Sequence, residues 1–327
     1  MNTQRRGFLA SVLAFPALLR GYKRQIENLT ADGAVNNPYG IRIGPDGGLY
    51  VCEIGNHRVS RVDVANGAVE PLVTNQKEPY EVQFDNEGNL LFVDMPAHSV
   101  RRWDKRTGTV TTIAGTGIVG FSGDGGPAVE AQLRNPHSIA LDRQGRLLIC
   151  DIGNHRIRRV DLKAGTISTF AGTGEPKPTP EGSPLTGAPL NGPRAIDFGA
   201  GGELYVVLRE GNAVYRLEND RWRRFAGTGE KGYSGDGGDA RLAKLSGPKA
   251  ICCAKDGVFI ADTESHTIRR IALNGTITTI AGTGERGDGP VGDPLACKLS
   301  RPHGVYVDPT GRIYIGDSES HRIRVIT

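Results

Sequence analysis

The residue after each of six recurring prolines carries a side chain able to bind a ligand or move a proton. These residues are Tyr39, Tyr80, His137, Arg194, Lys249 and His303. A purely structural position would repeat one residue type, whereas this position varies among aromatic, basic and titratable side chains. Cationic groups beside tyrosine rings suit an anionic or carboxylate-bearing ligand. We therefore predict a ligand-binding site if the fold brings the six residues together; the alternative is a solvated rim without a ligand.

The two histidines of this set are the candidate catalytic residues if the protein is an enzyme. Histidine can act as a general base near neutral pH, so His303 and His137 are the side chains to consider. A catalytic zinc site needs three protein ligands, and calcium needs clustered carboxylates; the six positions supply neither. The sequence therefore predicts no cofactor, with a divalent metal as the less favoured alternative.

An acidic residue and a histidine recur four residues apart in five places. The pairs are Glu53/His57, Asp94/His98, Asp151/His155, Asp262/His266 and Asp317/His321. A device repeated in nearly every unit is typical of a structural brace rather than of a catalytic dyad. We expect the carboxylate to accept hydrogen bonds from backbone N–H groups, and the histidine to bond a carbonyl or its neighbour.

These positions recur because the chain is built from repeats. Successive repeat prolines, from Pro38 to Pro302, lie 41, 57, 57, 55 and 54 residues apart, and such periods indicate a repeat architecture. In the third repeat, Ser138–Asp142 alternates polar and apolar residues as a half-buried strand does, and three further β-rich segments follow. Four strands in each of six units are typical of an all-β fold, the six-bladed β-propeller with four-stranded antiparallel blades.

The sequence also predicts how the ring closes. The last repeat stops at Arg322–Ile326, one strand short, and Gln25–Thr30 resembles the fourth strand of the other units. We expect this N-terminal strand to complete the last blade, so that the propeller covers residues 22–327. The predicted blades start near Asn37, Glu78, Asn135, Gly192, Gly247 and Arg301.

Four short motifs resemble the signature of the NHL-repeat family. Each has a histidine in third place: Gly55–Val59, Gly153–Ile157, Glu264–Ile268 and Glu319–Ile323. The fourth blade departs from the pattern, because Arg209–Val214 has no histidine. The resemblance covers about residues 35–327 and implies a propeller; such domains bind proteins or RNA and occasionally act as lyases.

The chain is also similar to propellers of the streptogramin-lyase and amidating-lyase type. Pro302–Gly304 reads Pro-His-Gly, as in the final blade of the former. This resemblance implies a metal-assisted lyase or hydrolase in which His303 is the general base and His137 places the substrate. Where such a lyase holds magnesium near that histidine, this chain has Arg301, so the implied metal site is incomplete.

Long glycine-rich loops join several blades to the next, and we expect them to wall the mouth of the channel, where repeat proteins often bind partners. Phe121 and Tyr233 occupy equivalent places in two of these loops and are candidate ligand contacts; the alternative is packing against a neighbouring loop. The arginine runs of the third strands, such as Arg156–Arg159 and Arg269–Arg270, are expected on a solvated outer face.

Composition and charge narrow the choice of partners. A formal net charge of +4 does not point to a nucleic-acid partner. Residues 1–21 resemble a twin-arginine export signal, because Arg5 and Arg6 precede an apolar run too short to span a bilayer. We therefore expect a bacterial protein of the periplasm or cell envelope, or a secreted one, with an uncleaved membrane anchor as an alternative. The five cysteines are expected to be free thiols.

Three functions stay open on this sequence. The leading interpretation is an exported propeller that binds an anionic small molecule, a peptide or a cell-envelope partner at the loop-rich mouth of its channel. The alternative is the lyase or hydrolase with His303 as general base. The third is a scaffold without a small ligand.

Overall fold

The computed structural model describes residues 24–327, whose strands form six four-stranded antiparallel sheets. The first strand, β1 (Ile26–Asn28), precedes the first blade. Blade one consists of β2 (Pro38–Ile43), β3 (Leu49–Glu53), β4 (Arg58–Val62) and β5 (Val69–Val73). Blade two consists of β6 (Pro79–Phe84), β7 (Leu90–Asp94), β8 (Ser99–Trp103) and β9 (Val110–Ala114). Blade three consists of β10 (Pro136–Leu141), β11 (Leu147–Asp151), β12 (Arg156–Asp161) and β13 (Thr166–Ala171).

The second half of the chain repeats this arrangement. Blade four consists of β14 (Pro193–Phe198), β15 (Leu204–Leu208), β16 (Ala213–Glu218) and β17 (Arg221–Ala226). Blade five consists of β18 (Ala250–Ala254), β19 (Gly257–Asp262), β20 (Thr267–Ala272) and β21 (Ile277–Ala281). Blade six has β22 (Gly304–Val307), β23 (Ile313–Asp317) and β24 (Arg322–Ile326), together with β1.

The first strands of the blades surround a common axis. They contact one another in a closed cycle that runs β2, β6, β10, β14, β18, β22 and back to β2. The predicted six-bladed all-β propeller is therefore confirmed. In the part of the chain that the structure describes, no helix is long and apolar enough to cross a membrane. The predicted signal segment, residues 1–21, lies outside this part.

Burial explains why the second strand of each blade is almost entirely apolar. Every residue of β11 is buried, as is every residue of the equivalent strands in the other blades. Neighbouring blades cover both faces of these strands; Val93 of blade two, for example, shares a core cluster with Ile149 of blade three. The turn into β11 needs a left-handed residue, which Gly145 supplies at φ 74°.

The N-terminal strand closes the ring as predicted. Ile26 of β1 pairs with Ile326 of β24, in an antiparallel register that continues to Asn28 opposite Arg324. The Ile26 side chain is fully buried beside Cys297 and Leu299. Blade six is thus assembled from both ends of the described chain.

The long loops also bond to the outer edge of the next blade, which the sequence analysis did not predict. In the loop between blades two and three, Gly125 N–H donates to Ile167 O at 2.8 Å, and Ala128 N–H donates to Gly165 O at 2.8 Å. These bonds lie along β13, the outermost strand of the next blade. The loop therefore crosses the rim of the propeller and covers an edge that would otherwise expose unpaired backbone groups.

The expected solvated outer face is also wrong for three of the third-strand arginines. Arg158, Arg269 and Arg324 are fully buried. Arg158 contacts Asp124 of the preceding loop at 2.8 Å and lies 3.7 Å from Asp151. Each buried guanidinium therefore ties an interblade loop to its blade. The free cysteines are confirmed: all five are unpaired.

Candidate functional site

The six residues after the repeat prolines come together around the channel axis. His303 stacks on Tyr39 with 4.0 Å between ring centroids, Tyr39 meets Tyr80 edge-on at 4.8 Å, and Tyr80 meets His137 in the same way at 4.8 Å. The Arg194 guanidinium lies 5.6 Å from the centroid of Tyr80. Lys249 Nζ lies 3.1 Å from His303 Nε2. We call these six residues the channel ring.

The channel ring is more closed than an open mouth would be. Arg194, Lys249 and His303 are only 4%, 6% and 4% exposed, and Tyr39, Tyr80 and His137 are partly exposed. The two histidines lie on opposite blades, and the tyrosines of blades one and two connect them along one side. A ligand would therefore meet the tyrosines and His137 first and the buried cations last.

The acid–histidine pairs hold the start of each first strand in place. Asp151 Oδ1 accepts a hydrogen bond from Arg134 N–H at 2.7 Å, two residues before Pro136. His155 Nδ1 accepts one from Gly192 N–H at 3.2 Å, one residue before Pro193. The acid therefore fixes its own blade, and the histidine fixes the next one.

A histidine Nδ1 accepts such a hydrogen bond in four blades, including the bond that Asn37 N–H donates to His321 across the closure of the ring. Asn212 replaces the histidine in blade four, where its Oδ1 accepts from Gly247 N–H. The predicted structural brace is confirmed. The expected histidine–carbonyl bond is found at His57, which contacts Lys77 O, whereas the other four histidines accept an N–H.

Lys249 is neutralised by a carboxylate that the sequence analysis did not consider. Its Nζ lies 2.9 Å from Glu264 Oε1, and Arg301 contacts the same carboxylate at 2.7 Å and Glu319 at 2.8 Å. Burial lowers the pKa of Lys249 to about 8, and Glu264 opposes that shift. Burial would raise the pKa of Glu264, but Arg301 and Lys249 outweigh it and hold the pKa at about 2. Glu264 precedes the motif histidine by two residues, which is the signal that could have identified it.

Arg194 differs from Lys249 because no carboxylate in residues 24–327 forms an ion pair with it. Burial lowers its pKa, and Tyr80, Tyr39 and Glu81 oppose the shift. A buried guanidinium without an ion pair attracts an anion more strongly than a paired one does.

His303 is held in one protonation state by its neighbours. Its Nδ1 lies 2.7 Å from Arg301 O and 3.0 Å from Ser318 Oγ. A carbonyl oxygen can only accept a hydrogen bond, so Nδ1 carries the proton. Nε2 therefore accepts a hydrogen bond from the Lys249 ammonium. Burial, Lys249 and Arg194 lower the pKa of His303 well below its usual value. Such a ring is a poor general base while Lys249 stays protonated.

The channel also contains a carboxylate, Glu81, that the sequence analysis did not identify. Glu81 follows Tyr80, and a Cβ at Gly40 would lie 2.6 Å from its Oε1. Burial raises the pKa of Glu81 to about 7, against the lowering effects of Arg42 and Arg194. The carboxylate lines a cavity of about 20 Å³, which has room for about one water molecule. The other five blades have Gly, Ser or Ala at this position, so aligning the repeats would have singled it out.

The two predicted loop contacts do not join the channel ring. Phe121 lies under the Arg156 guanidinium, 3.9 Å from ring centroid to Cζ, and Tyr233 lies 5.0 Å from Arg269. Tyr233 also hydrogen-bonds Thr279 Oγ1 at 2.9 Å. Both aromatics thus pack on third strands, away from the axis, although each stays more than 40% exposed. Residues 24–327 contain no cluster of three or more His, Cys, Asp or Glu side chains arranged for a metal ion.

Comparison with known proteins places these observations in a family. The NHL repeat matches residues 133–160 and 299–326, and the Teneurin NHL domain matches residues 200–300. Teneurin-1 of Mus musculus is 25% identical over an alignment that covers 94% of this chain and 13% of that protein. NHL repeat-containing protein 2 of Bos taurus is 27% identical, with 60% of this chain and 31% of that protein covered. The chain thus spans less than a third of either relative.

Solved structures share the fold at lower identity. An auxiliary nutrient binding protein from Bacteroides thetaiotaomicron VPI-5482 superposes with a TM-score of 0.73 at 16% identity, covering 93% of this chain and 76% of that one. Streptogramin B lyase superposes with a TM-score of 0.59 at 14% identity, covering 93% and 98%. At these identities the likeness concerns the fold alone. The repeat motifs, the matched NHL segments and the six closed blades together identify the chain as a member of the NHL-repeat β-propeller family.

Proposed function

We propose that this propeller is a binding protein whose channel ring takes an anionic group, such as the carboxylate or phosphate of a small molecule or peptide. The observation that carries the proposal is Arg194, a buried guanidinium that lacks an ion pair within residues 24–327. Lys249 adds a second cation beside it, although Glu264 already neutralises that charge. The similarity to structures described as auxiliary nutrient binding proteins agrees with a binding role.

The partly exposed tyrosines would contact such a ligand as it enters the channel ring. Tyr39 and Tyr80 meet edge-on, and their rings offer apolar contact to the part of the ligand that carries the anion. A charge-assisted bond from Arg194 to the anion then contributes about 2 kcal/mol, or roughly 30-fold in Kd. The ligand class that fits is therefore an anion attached to a small apolar group.

Calorimetric titration with benzoate, phenyl phosphate and acetate at low salt tests this function. We expect the two aromatic anions to bind more tightly than acetate, and Arg194→Met to weaken their binding roughly 30-fold. Arg106→Met is the matched control, because Arg106 is exposed on a distant turn. Binding that Arg194→Met leaves unchanged, or no binding by the wild type, would contradict the proposal and favour a scaffold.

The lyase alternative has less support in the geometry. Lys249 Nζ donates a hydrogen bond to His303 Nε2, and the pKa of His303 is well below its usual value. A general base needs a free lone pair on the nitrogen that takes the proton. A lyase that used His303 would first have to move or deprotonate Lys249.

We also propose that residues 1–21 direct export through the twin-arginine route, which would place the propeller in the periplasm or cell envelope. The support is the sequence pattern, Arg5 and Arg6 before Phe8–Leu19. Replacing both arginines with lysine should retain the protein in the cytoplasm of a bacterial host. Undiminished export of that variant would exclude this route.

A further inference from the structure

Four of the interblade loops begin with the same turn. In each, the backbone N–H two residues after a threonine donates to that threonine's Oγ1, at 3.2 to 3.4 Å. The four donors are Ile118, Glu175, Glu230 and Glu285. The four loops have the same backbone turn at this position. The fold therefore does not require an isoleucine at position 118 where the other three loops have glutamate.

The three glutamates of this set form ion pairs at their own loop. Glu230 contacts Lys244 at 2.8 Å, Glu285 contacts Lys298 at 2.7 Å, and Glu175 contacts Lys177 at 2.8 Å. Two of these loops also place a basic residue next in sequence, Lys231 and Arg286. Charged, paired tips are what an exposed loop in water is expected to carry.

The loop between blades two and three has an apolar tip instead. Ile118 and Val119 stand in place of the Glu-Lys and Glu-Arg pairs, and Gln132 stands in place of the lysine partner. Ile118 is 61% exposed and Val119 is 54% exposed. All members of the ion pair are thus replaced together, which leaves two adjacent aliphatic side chains in water. We call Ile118 and Val119 the apolar tip.

Beside the apolar tip lies an arginine that forms no ion pair within residues 24–327. Val119 forms a parallel bridge with Leu133, and Gly120 N–H donates to Leu133 O at 3.2 Å, so the next residue, Arg134, borders the tip. Arg134 is exposed and belongs to none of the ion pairs in residues 24–327. The equivalent residues of two sister loops are the serines Ser246 and Ser300.

From this comparison of sister loops we propose that the apolar tip inserts into the interface of an anionic lipid surface, with Arg134 contacting a lipid headgroup. Aliphatic side chains on a loop bind membranes when they enter the headgroup region and a neighbouring cation attracts anionic lipid. Two side chains are too little surface for a stable protein interface, which buries at least about 1,000 Å² in total. A lipid surface needs only the residues that enter it. The proposal does not depend on ligand binding in the channel ring.

Tryptophan reporters in the full-length chain test the insertion locally. The reporter variant is Val119→Trp, and Lys231→Trp is its matched control in a sister loop. Each is mixed with vesicles of phosphatidylcholine alone or with about one-third phosphatidylglycerol, with and without brominated acyl chains. The local readout is required because the apolar run at Phe8–Leu19 could itself hold the chain on a membrane. The wild type supplies the background of Trp103 and Trp222.

We expect Val119→Trp to shift its emission to shorter wavelength and to be quenched by brominated lipid, several-fold more with phosphatidylglycerol present. Lys231→Trp should show neither change. Adding Ile118→Glu and Gln132→Lys to the Val119→Trp variant should reduce the quenching about tenfold, because it restores the sister-loop charges.

Three results would overturn the proposal. The first is no quenching at position 119, and the second is equal quenching at 119 and 231. The third is self-association of the wild type that Ile118→Glu abolishes, since the tip would then be an interface between copies of this chain. Arg194→Met should bind vesicles as the wild type does; a loss there would mean that the channel contributes to the contact.

Discussion

Burial governs the charge state of the side chains that face the channel. It lowers the pKa of Arg194 and Lys249 and raises the pKa of Glu81. Lys249 is compensated by Glu264 at 2.9 Å, whereas Arg194 has no such partner within residues 24–327. The site therefore offers an anion one guanidinium without an ion pair, rather than the two free cations, Arg194 and Lys249, that the sequence suggested.

Glu81 should make the stability of the protein depend on pH. Its pKa of about 7 in the folded protein lies above the usual 4.5, so the folded state binds the proton more tightly than the unfolded state. The wild type then loses stability as pH rises from about 4.5 to 7, by roughly 3 kcal/mol in total. Glu81→Gln removes this loss. We expect the variant to unfold at higher urea concentration than the wild type at pH 8 and at nearly the same concentration at pH 4.5.

Urea unfolding at pH 4.5, 6 and 8 measures this difference. Glu130→Gln is the control, because Glu130 is exposed in an interblade loop. A Glu81→Gln variant that is equally or less stable than the wild type at pH 8 would show that Arg42 and Arg194 compensate the carboxylate fully.

Aligning the repeats was enough to select the six channel-ring residues but not their partners. Each position follows a proline that marks the same place in every blade, so convergence follows from the fold. Glu264 of blade five contacts both Lys249 and, in blade six, Arg301, and the buried Arg158 contacts Asp124 of the preceding loop. Distances between blades are set only when the ring closes, so a single sequence does not reveal these pairs.

At the scale of elements, the brace between blades explains why the acid–histidine motif repeats. In five blades a carboxylate of the same blade anchors the start of the first strand. In four blades a ring nitrogen of the preceding blade does so, and within residues 24–327 blade four has only this second anchor. The histidines adopt left-handed backbone geometry, with φ near 50° at His98, His155 and His321. These hydrogen bonds therefore fix each blade relative to the next, at the face of the propeller where the channel ring lies.

The N-terminal strand should contribute a large share of the stability. Deleting residues 22–32 removes the fully buried Ile26 and the Asn28 Oδ1 that accepts from Arg324 at 2.9 Å. Loss of a buried isoleucine alone costs about 2–5 kcal/mol, so we expect the Tm to fall by about 10 °C or more. Differential scanning calorimetry measures this change. Deleting residues 2–21 retains β1 and serves as the control; equal Tm values for the two deletions would refute the role of the strand.

At the scale of the whole molecule, closure of the ring brings the six channel-ring residues together. Residues 39 and 303 stack at 4.0 Å although nearly the entire propeller separates them in sequence. Six blades and the closing strand were predictable from the spacing of the prolines and from the missing last strand. The path of the interblade loops over the rim was not, because the glycine-rich segments carry no strand pattern and their bonds to β13 depend on the next blade being in place.

The closing strand predicts which circular permutants are stable. Gln25 N–H lies 3.3 Å from Thr327 O, so a short linker can join the two ends of the propeller. New ends between Asn274 and Gly275, in the turn between β20 and β21, make β21 an N-terminal strand that completes blade five. New ends between Glu230 and Lys231 leave every blade continuous, so that only packing between blades holds the ring shut.

We expect the first permutant to be the more stable, because its ends are held by the β20–β21 hydrogen bonds as the native ends are held by β1 and β24. Its Tm should exceed that of the second permutant by about 5 °C or more, which corresponds to roughly 2 kcal/mol. Both carry the same linker, so the comparison isolates the position of the opening. The opposite result, with the permutant opened between blades the more stable, would show that packing between blades is enough to close the ring. Completing one blade with strands from both ends of the propeller would then add no stability.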